Sequence, residues 1–107
     1  MSGVPEIQPA AFARNWSDSS TILLDVREPG EVAVAAVAGA LHMPMGDVPA
    51  RLGELDKSSA IVVMCHSGGR SMAVAGFLKS TGYEEVYNLA GGIDAWSRDV
   101  DPHVPRY

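Results

Sequence analysis

Two stretches of the chain are apolar without alternation, Thr21–Val26 (TILLDV) and Ala60–Met64 (AIVVM). Short runs of this kind, rich in β-branched and long aliphatic residues, predict strands covered on both faces, as in a parallel sheet. Glu6–Gln8, Ala40–Met43 and Glu85–Leu89 are weaker strand candidates. Between them, apolar positions recur at helical spacing. Pro9–Trp16 places Phe12 and Trp16 four apart behind an N-terminal Pro, and Asp47–Leu55 opens on a capping Asp with Pro49 in its first turn. Ser71–Thr81 carries Val74, Phe77 and Leu78 on one stripe and stops at Gly82, and Gly92–Arg98 repeats the pattern with Ile93 and Trp96. The Pro-containing tail, Asp101–Tyr107, reads as extended coil.

Strands alternating with short helices predict the α/β class, an open parallel sheet joined by right-handed crossovers. A chain of 107 residues fits a single domain, with a core over about 4–98 and a tail over 99–107. Ligands of such sheets bind beyond the carboxyl ends of the strands. The two strong strands are followed there by Asp25-Val26-Arg27-Glu28 and by Cys65-His66-Ser67-Gly68-Gly69-Arg70-Ser71.

Composition narrows the partners. The formal net charge is −5 and Lys and Arg nowhere cluster, which argues against nucleic acid and against an anionic membrane surface. The single Cys makes no intramolecular disulfide. The N-terminal MSGVPEIQPA carries no basic and apolar signal pattern, so a cytoplasmic setting is expected. The longest apolar run, Val32–Leu41, is too short to span a bilayer. His42, His66 and His103 have no partners at metal spacing, and no metal or other cofactor is expected.

The Cys65 segment is the most informative. Gly68 and Gly69 let the backbone curl and aim N–H groups inward. Convergent amides at a helix N-terminus form an anion site, and Arg70 adds a planar cation suited to oxyanions. An ordinary thiol is only a few per cent ionised at neutral pH, and these groups, with the Ser71 hydroxyl, favour the thiolate. The expectation is an ionised, solvent-reachable Cys65 rather than an inert core residue. Asp25 and Arg27, at the same end of the sheet, are read as supports: Asp25 accepting hydrogen bonds near the loop, Arg27 paired with Glu31 or another carboxylate. Met43 and Met45 are candidates for the mouth, Trp16 and Trp96 for the core, and His42 for a packing or capping role.

At these residues the chain resembles a single-domain rhodanese. Leu24-Asp25-Val26-Arg27 with Glu31, Gly39-Ala40-Leu41-His42-Met43-Pro44, the Cys65–Ser71 loop, and Leu89-Ala90-Gly91-Gly92-Ile93-Asp94-Ala95-Trp96 are similar to four family signatures in order. The resemblance implies a five-stranded parallel sheet with helices on both faces. It also implies a sulfurtransferase in which Cys65 takes the outer sulfur of a donor such as thiosulfate, becomes a persulfide, and passes it to a thiol or cyanide by ping-pong kinetics. On this carry-over Cys65 is the nucleophile, His66, Ser67, Gly68, Gly69 and Arg70 supply amides, and Arg70 steadies the donor. The implied partners are a small-molecule sulfur donor and a thiol acceptor, protein thiols included, with the protein a monomer or weak homodimer.

Two departures stand out. Relatives often read Gly-His-Ile-Pro where this chain has Ala35-Ala36-Val37-Ala38, a tract in which helical and β propensities compete. His66 stands where many relatives have Arg or Lys, which predicts weak binding of a dianionic donor. The alternatives are a rhodanese-like interaction module without turnover and, further off, a Cys-loop phosphatase or arsenate reductase. The latter is disfavoured because four residues separate Cys65 from Arg70, whereas comparable phosphatase loops have five.

Overall fold

The computed structural model describes residues 3–16 and 20–107, so the first two positions of the N-terminal decapeptide lie outside it. The elements run β1 (Glu6–Ile7), α1 (Pro9–Trp16), β2 (Ile22–Asp25), α2 (Pro29–Val34), β3 (Leu41–His42), β4 (Ile61–Met64), α3 (Gly69–Ser80), β5 (Val86–Leu89) and α4 (Gly92–Asp99). The five strands pair in the order β1-β5-β4-β2-β3, all parallel. The sheet, its helical layers and all five strand positions match the expectation from sequence, with strand ends shifted by at most one residue.

β4 is central and buried along its whole length, which is why its sequence does not alternate. Successive side chains leave opposite faces of a strand. Leu24, Ile61 and Val63 therefore join Val74 and Leu78 of α3 in one core. Leu23, Val62 and Met64 join Phe12, Ile93 and Trp96 of α1 and α4 in the other. Phe12, Trp16 and Trp96 form an aromatic cluster there, with ring centroids 5.1 to 6.3 Å apart.

Four local expectations are corrected. A helix absent from the sequence reading, α2, is closed by a capping box: the Glu28 side chain accepts from the backbone at Glu31, whose own carboxylate accepts from the Glu28 N–H, with Pro29 at the first turn. It ends at Ala35, where the backbone becomes extended. The stretch Asp47–Leu55 is not one α-helix but two 3-10 turns, Met45–Asp47 and Pro49–Glu54. Pro49 lacks an N–H, and the bonds that form are i to i+3, Arg51 to Val48 and Leu55 to Leu52.

α3 begins at Gly69, two residues earlier than expected, because Gly68 takes a left-handed conformation (φ 114°) that starts the helix at once. Within it Val74 and Leu78 are buried while Phe77 is 36% exposed, on the flank of the stripe rather than its centre. The tail is not free coil: Val104 is buried and Arg106 pairs with Asp94. No helix among the described residues is long and apolar enough to cross a membrane.

Candidate active site

Cys65 leaves the carboxyl end of β4 two residues after Val63, so its side chain turns toward the α3 face. The carbonyls of Cys65 and His66 accept the N–H groups of Ile93 (2.9 Å) and Asp94 (3.1 Å) at the start of α4. With those carbonyls turned to α4, the chain beyond is free to turn its amides inward. Gly68 N–H lies 3.1 Å from the Cys65 sulfur. The Ser71 hydroxyl is 3.3 Å from it, and the amides of Ser67 and Ser71 also bear on it. Burial pushes the thiol up, but these donors outweigh it and hold the group below an ordinary cysteine. The start of a 12-residue helix adds its dipole in the same sense.

One expectation fails here. Cys65 is 1% exposed, not solvent-reachable, because the first turn of α3 and the N-terminus of α4 close on it from two sides. Its sulfur nevertheless faces hydrogen-bond donors, unlike an inert core thiol.

Arg70, in the first turn of α3, is 37% exposed at its side chain and engages Glu31 of α2 through both terminal nitrogens, at 2.7 and 2.8 Å. The pair raises the Arg70 pKa and pulls the Glu31 carboxyl down to about 2. Its geometry is the fork-to-fork form that Lys does not make. The guanidinium at the loop therefore already holds a carboxylate.

Behind this pair lies a second one. Arg27 is fully buried, and all five of its N–H donors are used. Nε and one terminal nitrogen bind Asp25 at 2.9 and 2.6 Å. The others reach the carbonyls of Ala35 (2.8 Å) and Glu31 (3.3 Å) and the Tyr107 hydroxyl (2.9 Å). Burial opposes the Arg27 charge, and the bonds to Asp25 and Tyr107 overcome it, leaving the pKa raised. Arg27 thus has Asp25 as its carboxylate and meets Glu31 only through the main chain. Asp25 spends its oxygens on Arg27 and makes no bond to the loop. His42 caps the Arg27 carbonyl at 2.7 Å.

Two residues of the site escaped the sequence reading. Tyr107 stacks on His66 (centroids 4.2 Å apart, planes at 16°) and donates to Glu31 at 2.8 Å. Nothing local signals this, since its partners lie 41 to 80 positions away in the chain. Asn88 is a polar residue inside the apolar run of β5, 1% exposed. Its amide nitrogen donates to the Gly68 carbonyl and to Glu6, each at 3.1 Å, and its oxygen accepts from Ser71 at 2.5 Å. Of the two candidate mouth residues, Met43 is buried in the core. Met45 lines an apolar groove of about 160 Å³ with Val48, Pro49, Ala73, Val74 and Phe77, none of them a loop residue.

Residues 8–99 match the rhodanese-like domain family. The chain is similar to a sulfurtransferase of Allochromatium vinosum, 38% identical over 102 residues that cover 94% of this chain and 95% of the relative. It is also similar to the thiosulfate sulfurtransferase GlpE of Tolumonas auensis, 38% identical over 85 residues, 79% of each chain. Other relatives are longer, and the match spans only 30% and 52% of two of them. Among solved structures, a rhodanese-related protein of Thermoplasma volcanium superposes with a TM-score of 0.84 at 27% identity, over 96% of this chain and 99% of that one. With the family model matched over most of its length and relatives 38% identical across most of both chains, the chain belongs to the rhodanese-like domain family.

Proposed function

We propose that the protein is a sulfurtransferase that carries sulfane sulfur on Cys65. In the first half-reaction the Cys65 thiolate attacks the outer sulfur of a donor such as thiosulfate. A sulfur–sulfur bond forms to Cys65, the donor's own sulfur–sulfur bond breaks, and sulfite leaves with the electron pair. In the second, an acceptor thiolate or cyanide attacks the outer sulfur of the persulfide and Cys65 departs as the thiolate. No proton transfer is required at either step, in keeping with a sulfur whose hydrogen bonds come from backbone amides and the Ser71 hydroxyl.

The observation that carries this reading is the Gly68 N–H directed at the sulfur from 3.1 Å, at the start of a helix, in a chain 38% identical to sulfurtransferases along most of its length. The same amides that stabilise a thiolate stabilise the terminal anion of a persulfide. Arg70 contributes to donor binding to the extent that the donor displaces Glu31 from it. The test is intact mass after incubation with thiosulfate. A gain of about 32 Da that dithiothreitol reverses, and that Cys65→Ser lacks, is expected.

A second reading, an interaction module without turnover, draws on the sealed Cys65 and the occupied Arg70. No mass gain from thiosulfate, mercaptopyruvate or a persulfide donor would favour it.

A further inference from the structure

The Ser71 hydroxyl has one proton and two neighbours that want it. It lies 2.5 Å from the Asn88 side-chain oxygen and 3.3 Å from the Cys65 sulfur. The orientation of the Asn88 amide is not free. Its nitrogen faces the Gly68 carbonyl and the Glu6 carboxylate, both acceptors, so turning the amide over would set oxygen against oxygen at both contacts. The Asn88 oxygen is thereby fixed toward Ser71 and has no other donor than that hydroxyl among the described contacts. Ser71 and Asn88 are 0% and 1% exposed, so an oxygen left bare there carries the penalty of a buried unpaired acceptor.

We infer that Asn88 competes with Cys65 for the Ser71 proton and so sets how readily Cys65 ionises. While Cys65 is a thiol, Ser71 donates to Asn88 and its lone pairs face the S–H. When Cys65 ionises, the hydroxyl turns to the sulfur and the Asn88 oxygen is left without a donor. The thiolate gains a hydrogen bond only by breaking another, and the pKa stays higher than the loop alone would make it. Asn88 is in this sense a positioning residue, acting on the sulfur only through Ser71.

The charged and titratable groups around the sulfur are Arg70 with Glu31, His66, Asp94 at the start of α4, Glu6 behind Asn88, Tyr107, and the Asp25–Arg27 pair. Only Glu6 touches Asn88, so Glu6→Ala, expected to leave the midpoint in place, controls for the loss of that contact.

The experiment is the pH dependence of the Cys65 thiolate's ultraviolet absorbance, taken as the difference from Cys65→Ser, which reads ionisation without a reagent having to reach the buried sulfur and needs no sulfur donor. Its failure is therefore distinct from a failure of the sulfurtransferase reading, with which it shares only the thiolate. Asn88→Ala should lower the midpoint by about 0.5–1 pH unit, a three- to ten-fold larger thiolate fraction below it. Ser71→Ala should raise the midpoint by more in the Asn88→Ala background than in the native one. Equal shifts of Ser71→Ala in both backgrounds, or a midpoint unmoved or raised by Asn88→Ala, would overturn the inference. Should the alanine variants not fold, the native protein still decides. The Asn88 side-chain carbonyl carbon should titrate in NMR with the Cys65 midpoint, and a flat resonance would be decisive against the competition.

Discussion

Gly92 is where the loop and α4 meet, and Gly92→Ala is the sharpest test of how the site is held. Its φ is 61°, in the left-handed region, where a side chain costs about 1–2 kcal/mol. A Cβ would also run into the carbonyl oxygens of Cys65 and His66. Those oxygens cannot turn aside while they accept from Ile93 and Asp94 at 2.9 and 3.1 Å. α4 must back away, and each of the two bonds lost is worth about 1 kcal/mol, more where the carbonyl stays buried and bare. The sum is about 4 kcal/mol, against a total of roughly 5–15 for a domain of ordinary stability. At about 4–8 °C per kcal/mol for a chain of this size, Tm falls by about 20 °C.

Urea unfolding followed by tryptophan fluorescence measures the loss, since Trp96 sits on α4. The Cys65 thiolate midpoint, followed by ultraviolet absorbance, should rise with it as the amides lose their aim. Gly76→Ala is the control. Gly76 lies in α3 with nothing within 4 Å of a Cβ, so the change should stabilise by about 0.5–1 kcal/mol. A Gly92→Ala protein that loses less than about 1 kcal/mol and keeps the native thiolate midpoint would refute the argument.

Two further outcomes are expected. The Glu31 carboxyl is held at about 2 against an ordinary 4.5, chiefly by its bonds from Arg70, so the pair's contribution is present above 4.5 and is lost as pH falls toward 2. With Arg70 more than a third exposed, that contribution is about 1 kcal/mol. Glu31→Gln should be less stable by this amount at pH 7, with the gap closing between pH 4.5 and 2; a gap constant over that range in urea titrations counts against it. Tyr107→Phe removes the hydroxyl between Arg27 and Glu31 and leaves a buried guanidinium N–H without its partner. A loss of about 1 kcal/mol is expected, seen as a Tm several degrees lower, and an unchanged Tm would show that the hydroxyl contributes nothing.

How much of this was legible in the chain depends on the range of each interaction. The apolar runs TILLDV and AIVVM mark central strands because burial on both faces leaves its trace in every residue. The loop was legible for a related reason: Cys65, Gly68, Gly69 and Arg70 act within six positions of one another. α2 was missed because its cap is Glu28 rather than Ser, Thr, Asp or Asn, and because the Ala/Val tract after it has no preference of its own. The break at Pro49 hid behind an otherwise helical pattern. Tyr107, Asn88 and the Arg70–Glu31 pair depend on contacts across 17 to 82 positions, and no local pattern encodes such distances. The burial of Cys65 belongs in part to the same class, since α4, which docks on the Cys65 and His66 carbonyls, comes from well down the chain.

The register of the sheet has a chemical corollary. Asp25 of β2 stands opposite Met64, and Asn88 of β5 opposite Val63, so the ends of three neighbouring strands bring Arg27's partner, the sulfur and the Asn88 amide to one level. A slip of the central strand by a single residue would carry the thiol to the opposite face of the sheet, away from every group that activates it. The ionisation of this lone cysteine is therefore a reporter of correct assembly: a misthreaded molecule keeps an ordinary thiol, and a lowered thiol pKa marks strands in step.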